Sequence, residues 1–417
     1  VRGVERQSQI YVGGVGGKRP RVPVDFAELE RRAEGAMSEK AFAYVAAGAG
    51  LEETLRANRE AFRRWQIVPR MLRDVSERDT GIELFGRHIP YPFLLAPIGV
   101  LELAHREAER AVAPAAARAG VPMIFSNQAS TPMEEVAGLL GDSPRWFQLY
   151  WSVSDDLVES LVSRAEACGC EAIVVTLDTT VLGWRTRDLE LAYLPFLRGK
   201  GIAQYTSDPV FQRLIDEEPP RALPGAAPRP TPAALGTLFQ LIKNYPERFN
   251  PGRARKAVER FIQVYSRPSL SWSDLPFLRE RTKLPIVLKG IVHPDDARRA
   301  VDAGMDGLVV SNHGGRQVDG SIGTLDALPG VAEAVDGRIP VLLDSGVRGG
   351  ADVFKALALG ATAVLIGRPY VYGLAVAGRT GVEEVLRNFM ADFDLTMGLA
   401  GCGSVEAIDR QTLVQAG

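Results

Sequence analysis

The sequence predicts an α/β protein folded as a (β/α)8 TIM barrel, and three observations predict it. Eight short apolar runs recur along the chain, helix-like stretches separate them, and every run ends on polar or glycine residues. The runs are FLLAPIGV (93–100), PMIFSN (122–127), RWFQLY (145–150), AIVVTLD (172–178), PIVLKG (285–290), GLVVSNHGG (307–315), PVLLDSG (340–346) and AVLIGRP (363–369). Each is continuous rather than alternating, the pattern of strands covered on both faces. Strand and helix in strict alternation give a parallel sheet, and eight such units close it into a barrel.

The intervening stretches carry helix punctuation. REAERAVAPAAARAG (106–120) is the first, and TPMEEVAGLL (131–140) reads as a helix with Thr131 at the N-cap and Pro132 at the first turn. SDDLVESLVSRAEACG (154–169) opens on Ser154 and acidic residues, while HPDDARRAVDAG (293–304) and ADVFKALALG (351–360) close on glycine. Before the barrel, residues 25–50 read as one helical stretch ended by Gly48 and Gly50, and TGIELFGRHIPYP is strand-like.

The alternation breaks once, over about residues 179–271, between the fourth and fifth strands. A connection this long on a barrel is functional or disordered far more often than neutral. It leaves the C-terminal end of a strand, so it is placed to act as a lid. Its EEPPRALPGAAPRPTP stretch (217–232) is too Pro-rich to pack, and RARKAVERFIQVY (253–265) is helical. The expected organisation is one domain over 1–417, with a barrel core of about 93–400 and this insertion.

Bulk properties exclude several classes. A net charge of -2 over 417 residues argues against a nucleic-acid partner. No apolar run approaches the roughly 18 residues of a membrane span, and the first twenty residues show no secretory apolar region, so a cytoplasmic location is expected. Cys168, Cys170 and Cys402 form no disulfide framework or metal set and are expected to be buried as small apolar residues. His88, His105 and His293 read as surface, loop or helix-start positions.

Chemistry in this fold sits at the C-terminal ends of the strands. Those ends carry Gly99, then Ser126 and Gln128, Gln148 and Tyr150, Thr176 and Asp178, and Lys289. His313 with Arg316, Asp344 with Arg348, and Gly367 with Arg368 complete the ring. DSGVRGGADV (344–353) is a glycine-rich turn opening a helix, so free N–H groups and the helix dipole can face an anion, and Arg368 adds a guanidinium. Such a site suits a phosphate of any kind. In SNHGGRQ (311–317), His313 lies beside a cation able to grip a carboxylate, so it can take a proton from a 2-hydroxyl or α-carbon, with Asp178 supporting the imidazolium. Lys289 would also suit a Schiff-base aldolase, but that reading leaves His313, Arg316, Gln148 and Tyr150 without roles.

Ten strings in order, among them AFAYVAAGAG (41–50), IVPRML (67–72), QLY (148–150), VTLDT (175–179), GWRTRDL (183–189), LKGI (288–291) and SNHGGRQ, resemble the FMN-dependent L-2-hydroxy acid oxidase and dehydrogenase family. The resemblance covers nearly the whole chain and implies an enzyme with FMN as cofactor and no metal. It implies His313 as base with Asp178 as its partner, and Tyr44, Tyr150, Arg185 and Arg316 as substrate-binding residues. Lys289 would lie near flavin N1. Pro97, Ile98, Gly99, Ser126, Gln148, Thr176 and Ser311 would surround the ring, and Asp344, Gly346, Arg348, Gly367 and Arg368 the ribityl phosphate.

Within the family, ERDTGIELFG (77–86), residues 193–211 and residues 288–307 resemble the lactate 2-monooxygenase branch, as does Gly99, where many oxidases carry alanine. Gln128 stands where relatives often carry an aromatic or apolar residue. The resemblance implies a small L-2-hydroxy acid such as L-lactate, O2 as electron acceptor, and a homotetramer or homo-octamer. Glycolate or mandelate is the alternative substrate. A member passing electrons to a membrane quinone would expose an apolar stretch in the insertion, and the Pro, Arg and Glu there favour O2 instead.

Overall fold

The computed structural model describes residues 2–217, 231–245 and 250–416. The eight runs form strands β1 (Phe93–Leu95), β2 (Met123–Phe125), β3 (Arg145–Leu149), β4 (Ile173–Thr176), β5 (Ile286–Lys289), β6 (Gly307–Val310), β7 (Val341–Leu343) and β8 (Ala363–Ile366). All pair in parallel with their sequence neighbours, and β8 pairs with β1 to close the barrel. Alternate strand residues split between two cores, as the period of two requires. Leu94, Ile124, Trp146, Val174, Val287, Val309, Leu342 and Leu365 fill the interior, while their neighbours pack outward against helices. The strand-like segment before the barrel is a hairpin, Ile82–Leu84 paired with Arg87–Ile89. Its Leu84, Phe85 and Ile89 join the interior cluster, with Phe85 5.4 Å from Trp146, and plug the N-terminal mouth. Only the opposite mouth is left for a site.

Ahead of the barrel run α1 (Gly3–Val15), α2 (Phe26–Ala36), α3 (Glu39–Ala46) and α4 (Glu53–Arg63). The stretch expected as one helix over 25–50 is therefore two. Ser38 interrupts it by accepting a hydrogen bond from Ala41 N at 3.3 Å, capping α3 afresh. The barrel helices are α5 (Ala108–Ala119), α6 (Met133–Leu140) and α7 (Asp155–Ala167). Helix α6 starts one residue later than its sequence implied, with Pro132 rather than Thr131 at the N-cap. The reason is tertiary, because Met133 N donates to Gln204 Oε1 at 3.0 Å. Cys170 and Cys402 are buried as expected, whereas Cys168 is half-buried.

The insertion contributes α8 (Pro209–Glu217), α9 (Pro232–Asn244) and α10 (Pro251–Val264). The proline-rich stretch expected there lies, over 218–230, outside the described residues. What is described is a packed layer. Phe261 is fully buried between Phe196, Tyr205 and Tyr265, with ring centroids 5.2, 4.8 and 5.2 Å away. Ala203 N to Ala129 O (3.1 Å) and Ser152 Oγ to Val264 O (2.6 Å) fasten the layer to the loops after β2 and β3. Composition missed one feature. Leu235, Leu238 and Phe239 of α9 face solvent, so the insertion does expose an apolar stretch. No helix among the described residues is long and apolar enough to cross a membrane.

Four helices finish the chain: α11 (Pro294–Asp302), α12 (Thr324–Val335), α13 (Gly350–Ala358) and α14 (Arg368–Ala400), the last kinked at Ala377–Gly378. Helix α1 is tied to α14 through Gly3 N and Asp394 Oδ2 at 2.7 Å.

Deleting the Phe261 ring leaves a cavity among three aromatic rings. Phe261→Ala should destabilise the protein by about 3–5 kcal/mol and lower its melting temperature. A melting curve superimposable on that of the parent protein would contradict this packing account.

Candidate active site

The open mouth of the barrel holds a cleft enclosing about 1210 Å³ of space continuous with solvent. Its base is His313. The residue sits at φ +58° and is followed by Gly314 and Gly315 at +68° and +76°, three consecutive left-handed residues. The two glycines are obligatory for a second reason. A Cβ on Gly314 would lie 2.8 Å from Arg368 Nη1, and one on Gly315 would lie 2.7 Å from Leu55 N. The turn is held by a reciprocal amide pair, Asn58 Nδ2 to Asn312 Oδ1 at 2.9 Å and Asn312 Nδ2 to Asn58 Oδ1 at 2.7 Å. Ser311 Oγ accepts from His313 N at 3.1 Å.

His313 Nδ1 lies 2.7 Å from Asp178 Oδ1 and 3.1 Å from Thr179 Oγ1. A carboxylate only accepts, so it fixes the ring proton on Nδ1 and leaves Nε2 as the basic nitrogen. Desolvation lowers the histidine's pKa below its ordinary 6.5, outweighing the opposing pull of Asp178. The imidazole is thus neutral near pH 7. Desolvation pushes Asp178 the other way, but His313 and Lys289 outweigh it and hold the carboxyl at about 2.

Lys289 is buried, with Nζ 2.8 Å from Ser311 Oγ, 3.0 Å from Asp344 and 3.8 Å from Asp178. Burial favours its neutral form, yet Asp344 and Asp178 prevail and its pKa is raised. A lysine held this firmly as an ammonium is a poor Schiff-base nucleophile.

Two further cations face the cleft. Arg316 Nη1 donates to the carbonyls of Tyr44 and Ala47, and its guanidinium lies 4.9 Å from the Tyr44 ring centroid. Buried Arg185 donates to Arg316 O and Gln317 Oε1. Desolvation and the neighbouring Arg185 push Arg316 down to about 9, which still leaves it charged at neutral pH. Among the described residues, neither arginine forms an ion pair with a carboxylate. Tyr150 is buried beside them, and desolvation raises its pKa, so it stays a phenol.

At the ends of β7 and β8 stand Arg348 and Arg368. Arg368 donates to the carbonyls of Val45, Gly314 and Ala47, and Arg348 lies 4.4 Å over the Phe26 ring. Desolvation lowers both, Arg348 to about 10. Among the described residues neither forms an ion pair with a carboxylate, although Glu30 acts on both from further off, and two desolvated guanidiniums so placed are costly unless an anion joins them. The expected role of the α13 N-terminus is corrected here. Arg348 N donates to Asp352 Oδ2 at 2.8 Å and Gly350 N donates to Asp392, so two carboxylates already occupy that helix end. The room for an anion lies one turn earlier, beside Gly346 and Gly367, which line the cleft with both arginines.

The expected residues therefore separate into two layers. Tyr44, Pro97, Ile98, Gly99, Tyr150, Arg185, Lys289, His313, Arg316, Asp344, Gly346, Arg348, Gly367 and Arg368 line the cleft. Ser126, Gln148, Thr176, Asp178 and Ser311 stand behind it. Gln148 Oε1 accepts from Asn127 N and Gln148 Nε2 donates to Thr176 Oγ1, both at about 3 Å. Sequence reasoning missed Ile262 and Tyr265, which α10 and its end bring to the cleft wall with Leu194 and Phe196. The i, i+4 spacing of Phe261 and Tyr265 was the available signal.

A family model described as FMN-dependent dehydrogenase matches residues 33–415. The chain belongs to that family. It is 42% identical to L-lactate oxidase of Lysinibacillus sphaericus (strain C3-41) over 393 residues, covering 94% of this chain and 93% of that protein. It is 38% identical to 2-hydroxyacid oxidase 1 of Homo sapiens over 390 residues, covering 93% and 95%. The crystal structure of mandelate oxidase superposes with a TM-score of 0.75 at 37% identity, covering 95% of this chain and 99% of that one. As a member of the FMN-dependent dehydrogenase family, this chain is an FMN-dependent oxidoreductase. The unneutralised Arg348 and Arg368, with glycines beside them, fit the phosphate of such a cofactor, and the buried ammonium of Lys289 fits a ring that gains negative charge.

The His313 assignment is open to direct test. NMR titration should place its pKa below 6.5, and Asp178→Asn should lower it further, because the charge that opposes desolvation is gone. A midpoint above 7 in the parent protein would contradict the burial argument.

Proposed function

We propose that this protein oxidises a small L-2-hydroxy acid, with L-lactate as the reference substrate and O2 as the electron acceptor. The observation that carries the reading is the neutral His313, 2.7 Å from Asp178, in one cleft with two arginines that form no ion pair among the described residues. Arg316 and Arg185 would hold the substrate carboxylate, with Tyr44 and Tyr150 hydrogen-bonding its oxygens. Bidentate capture there sets C2 and its hydroxyl toward His313. His313 Nε2 takes the proton leaving the substrate, and Asp178 stabilises the resulting imidazolium.

Arg348, Arg368, Gly346 and Gly367 would hold the FMN phosphate, with Asp344 close by. Pro97 to Gly99, Ser126, Gln148, Thr176 and Ser311 would surround the ring, with Lys289 near N1. FMN bound there would supply the two-electron acceptor for C2, with O2 as the final oxidant. Tyr265, Ile262, Leu194 and Phe196 form an apolar wall that limits water at the reacting carbon. The products are the 2-oxo acid and peroxide, or the decarboxylated acid where the 2-oxo acid is retained, as the resemblance of residues 193–211 and Gly99 to the monooxygenase branch favours.

The exposed Leu235, Leu238 and Phe239 favour a second reading, in which a membrane quinone replaces O2. Reoxidation that is fast with a soluble quinone and slow in air would establish it.

The test is anaerobic addition of L-lactate to the FMN-loaded protein, followed by its visible spectrum. Bleaching is expected, and an unbleached flavin band with every 2-hydroxy acid would refute the reading. His313→Ala should retain the yellow colour and lose about 100-fold or more in reduction rate. The acid limb of kcat/KM should have its midpoint below 6.5, because activity needs the neutral imidazole and its pKa is lowered.

A further inference from the structure

Gln128 is the cleft residue for which neither the fold nor the chemistry above has a use. It is 8% exposed and lines the cleft at the end of β2. Its backbone is pinned on every side. Gln128 N donates to Ser126 Oγ at 3.1 Å, its carbonyl accepts from Val100 N at 2.9 Å, and Ser130 N donates to Glu109 Oε1 at 3.0 Å. Glycines crowd it as well. A Cβ on Gly99 would lie 3.1 Å from Gln128 Cβ, and one on Gly201 would lie 3.0 Å from Gln128 O. The amide at the tip of this fixed residue has no hydrogen-bond partner among the described residues. Its oxygen and nitrogen are not among the side-chain atoms sealed from solvent, so the amide faces the cleft and offers two donors and an acceptor to whatever binds there.

The barrel order says what that partner is. Strands β2 and β6 lie four apart in a ring of eight, so Gln128 stands across the mouth from His313 and Arg316. A 2-hydroxy acid held by its carboxylate at Arg316 and by C2 at His313 directs its remaining substituent away from them. We infer that Gln128 hydrogen-bonds a neutral hydroxyl on the substrate's side chain, so that the preferred substrate is a 2-hydroxy acid carrying a second hydroxyl on that substituent. The inference rests on the proposed 2-hydroxy acid oxidation and deepens it. The apolar wall of Tyr265, Ile262, Leu194 and Phe196 confines the substituent without offering a competing charge. Arg185 and Arg316 are committed to the carboxylate, which leaves the uncharged amide to read an uncharged group.

The experiment compares kcat/KM of the FMN-loaded enzyme for L-glycerate and L-2-hydroxybutyrate, which differ by a hydroxyl in place of a methyl. A site that hydrogen-bonds the hydroxyl should favour glycerate by about tenfold or more. In Gln128→Met, close in volume but unable to hydrogen-bond in this way, the ratio should fall to about one or below. Calorimetric binding of hydroxypyruvate against 2-oxobutyrate to the parent enzyme gives the same comparison without turnover, and so stands even if the variant fails to fold. Equal or reversed preference in the parent enzyme, or a ratio unchanged in the variant, overturns the inference and leaves 2-hydroxy acid oxidation intact. Failure of both acids and of L-lactate to reduce the flavin overturns the two together.

Discussion

The negative charge of Asp178 is the constraint on which the site is organised. It comes from the end of β4 and lies 2.7 Å from the imidazole on the loop after β6 and 3.8 Å from the ammonium on β5. Three strand ends thus meet through one carboxylate in a desolvated place. Removing such a partner leaves a buried charge uncompensated, at a cost of about 3–5 kcal/mol. Asp344 shares the load by facing Lys289 at 3.0 Å from β7. The lysine therefore stays charged without drawing Asp178 away from the histidine.

The scaffold around this network is arranged so that only one mouth of the barrel is usable. The hairpin carrying Phe85 closes the other, and the aromatic layer around Phe261 roofs part of the open one. Arg368 spans the two functional regions. It donates to Gly314 O next to the base, and to Val45 and Ala47 next to Tyr44, while standing beside the proposed anion site. The turn bearing His313, the segment bearing Tyr44 and the end of β8 are thereby set against each other by backbone contacts rather than by exposed ion pairs.

Much of this was legible in the sequence because it depends on local pattern. Continuous apolar runs gave all eight strands, and polar residues at their ends pointed to His313, Lys289, Arg316, Arg348 and Arg368, which line one cleft, and to Asp178 behind it. What stayed hidden depends on contacts between distant segments. Nothing near DSGVRGGADV discloses that Asp392, forty residues on, accepts from Gly350 N, so part of the free N–H set expected at that helix end is already taken. Gln204 likewise shifts the start of α6 from a position that local capping rules would choose. The insertion read as a lid with a Pro-rich part, and composition did not show that the packing of its described residues is set by Phe196, Tyr205, Phe211 and Phe261, spread over some sixty residues. The outward stripe of α9 was hidden for the opposite reason, since composition averages away the face of a helix.

The reciprocal amides of Asn58 and Asn312 have a consequence for how the molecule comes into being. They join positions separated by 254 residues, and a loop of that length closes only after intervening segments have found their places. The left-handed turn bearing His313 is therefore completed by the chain's early part returning to its late part. On the ribosome, α4 must wait without its partner until β6 has been made.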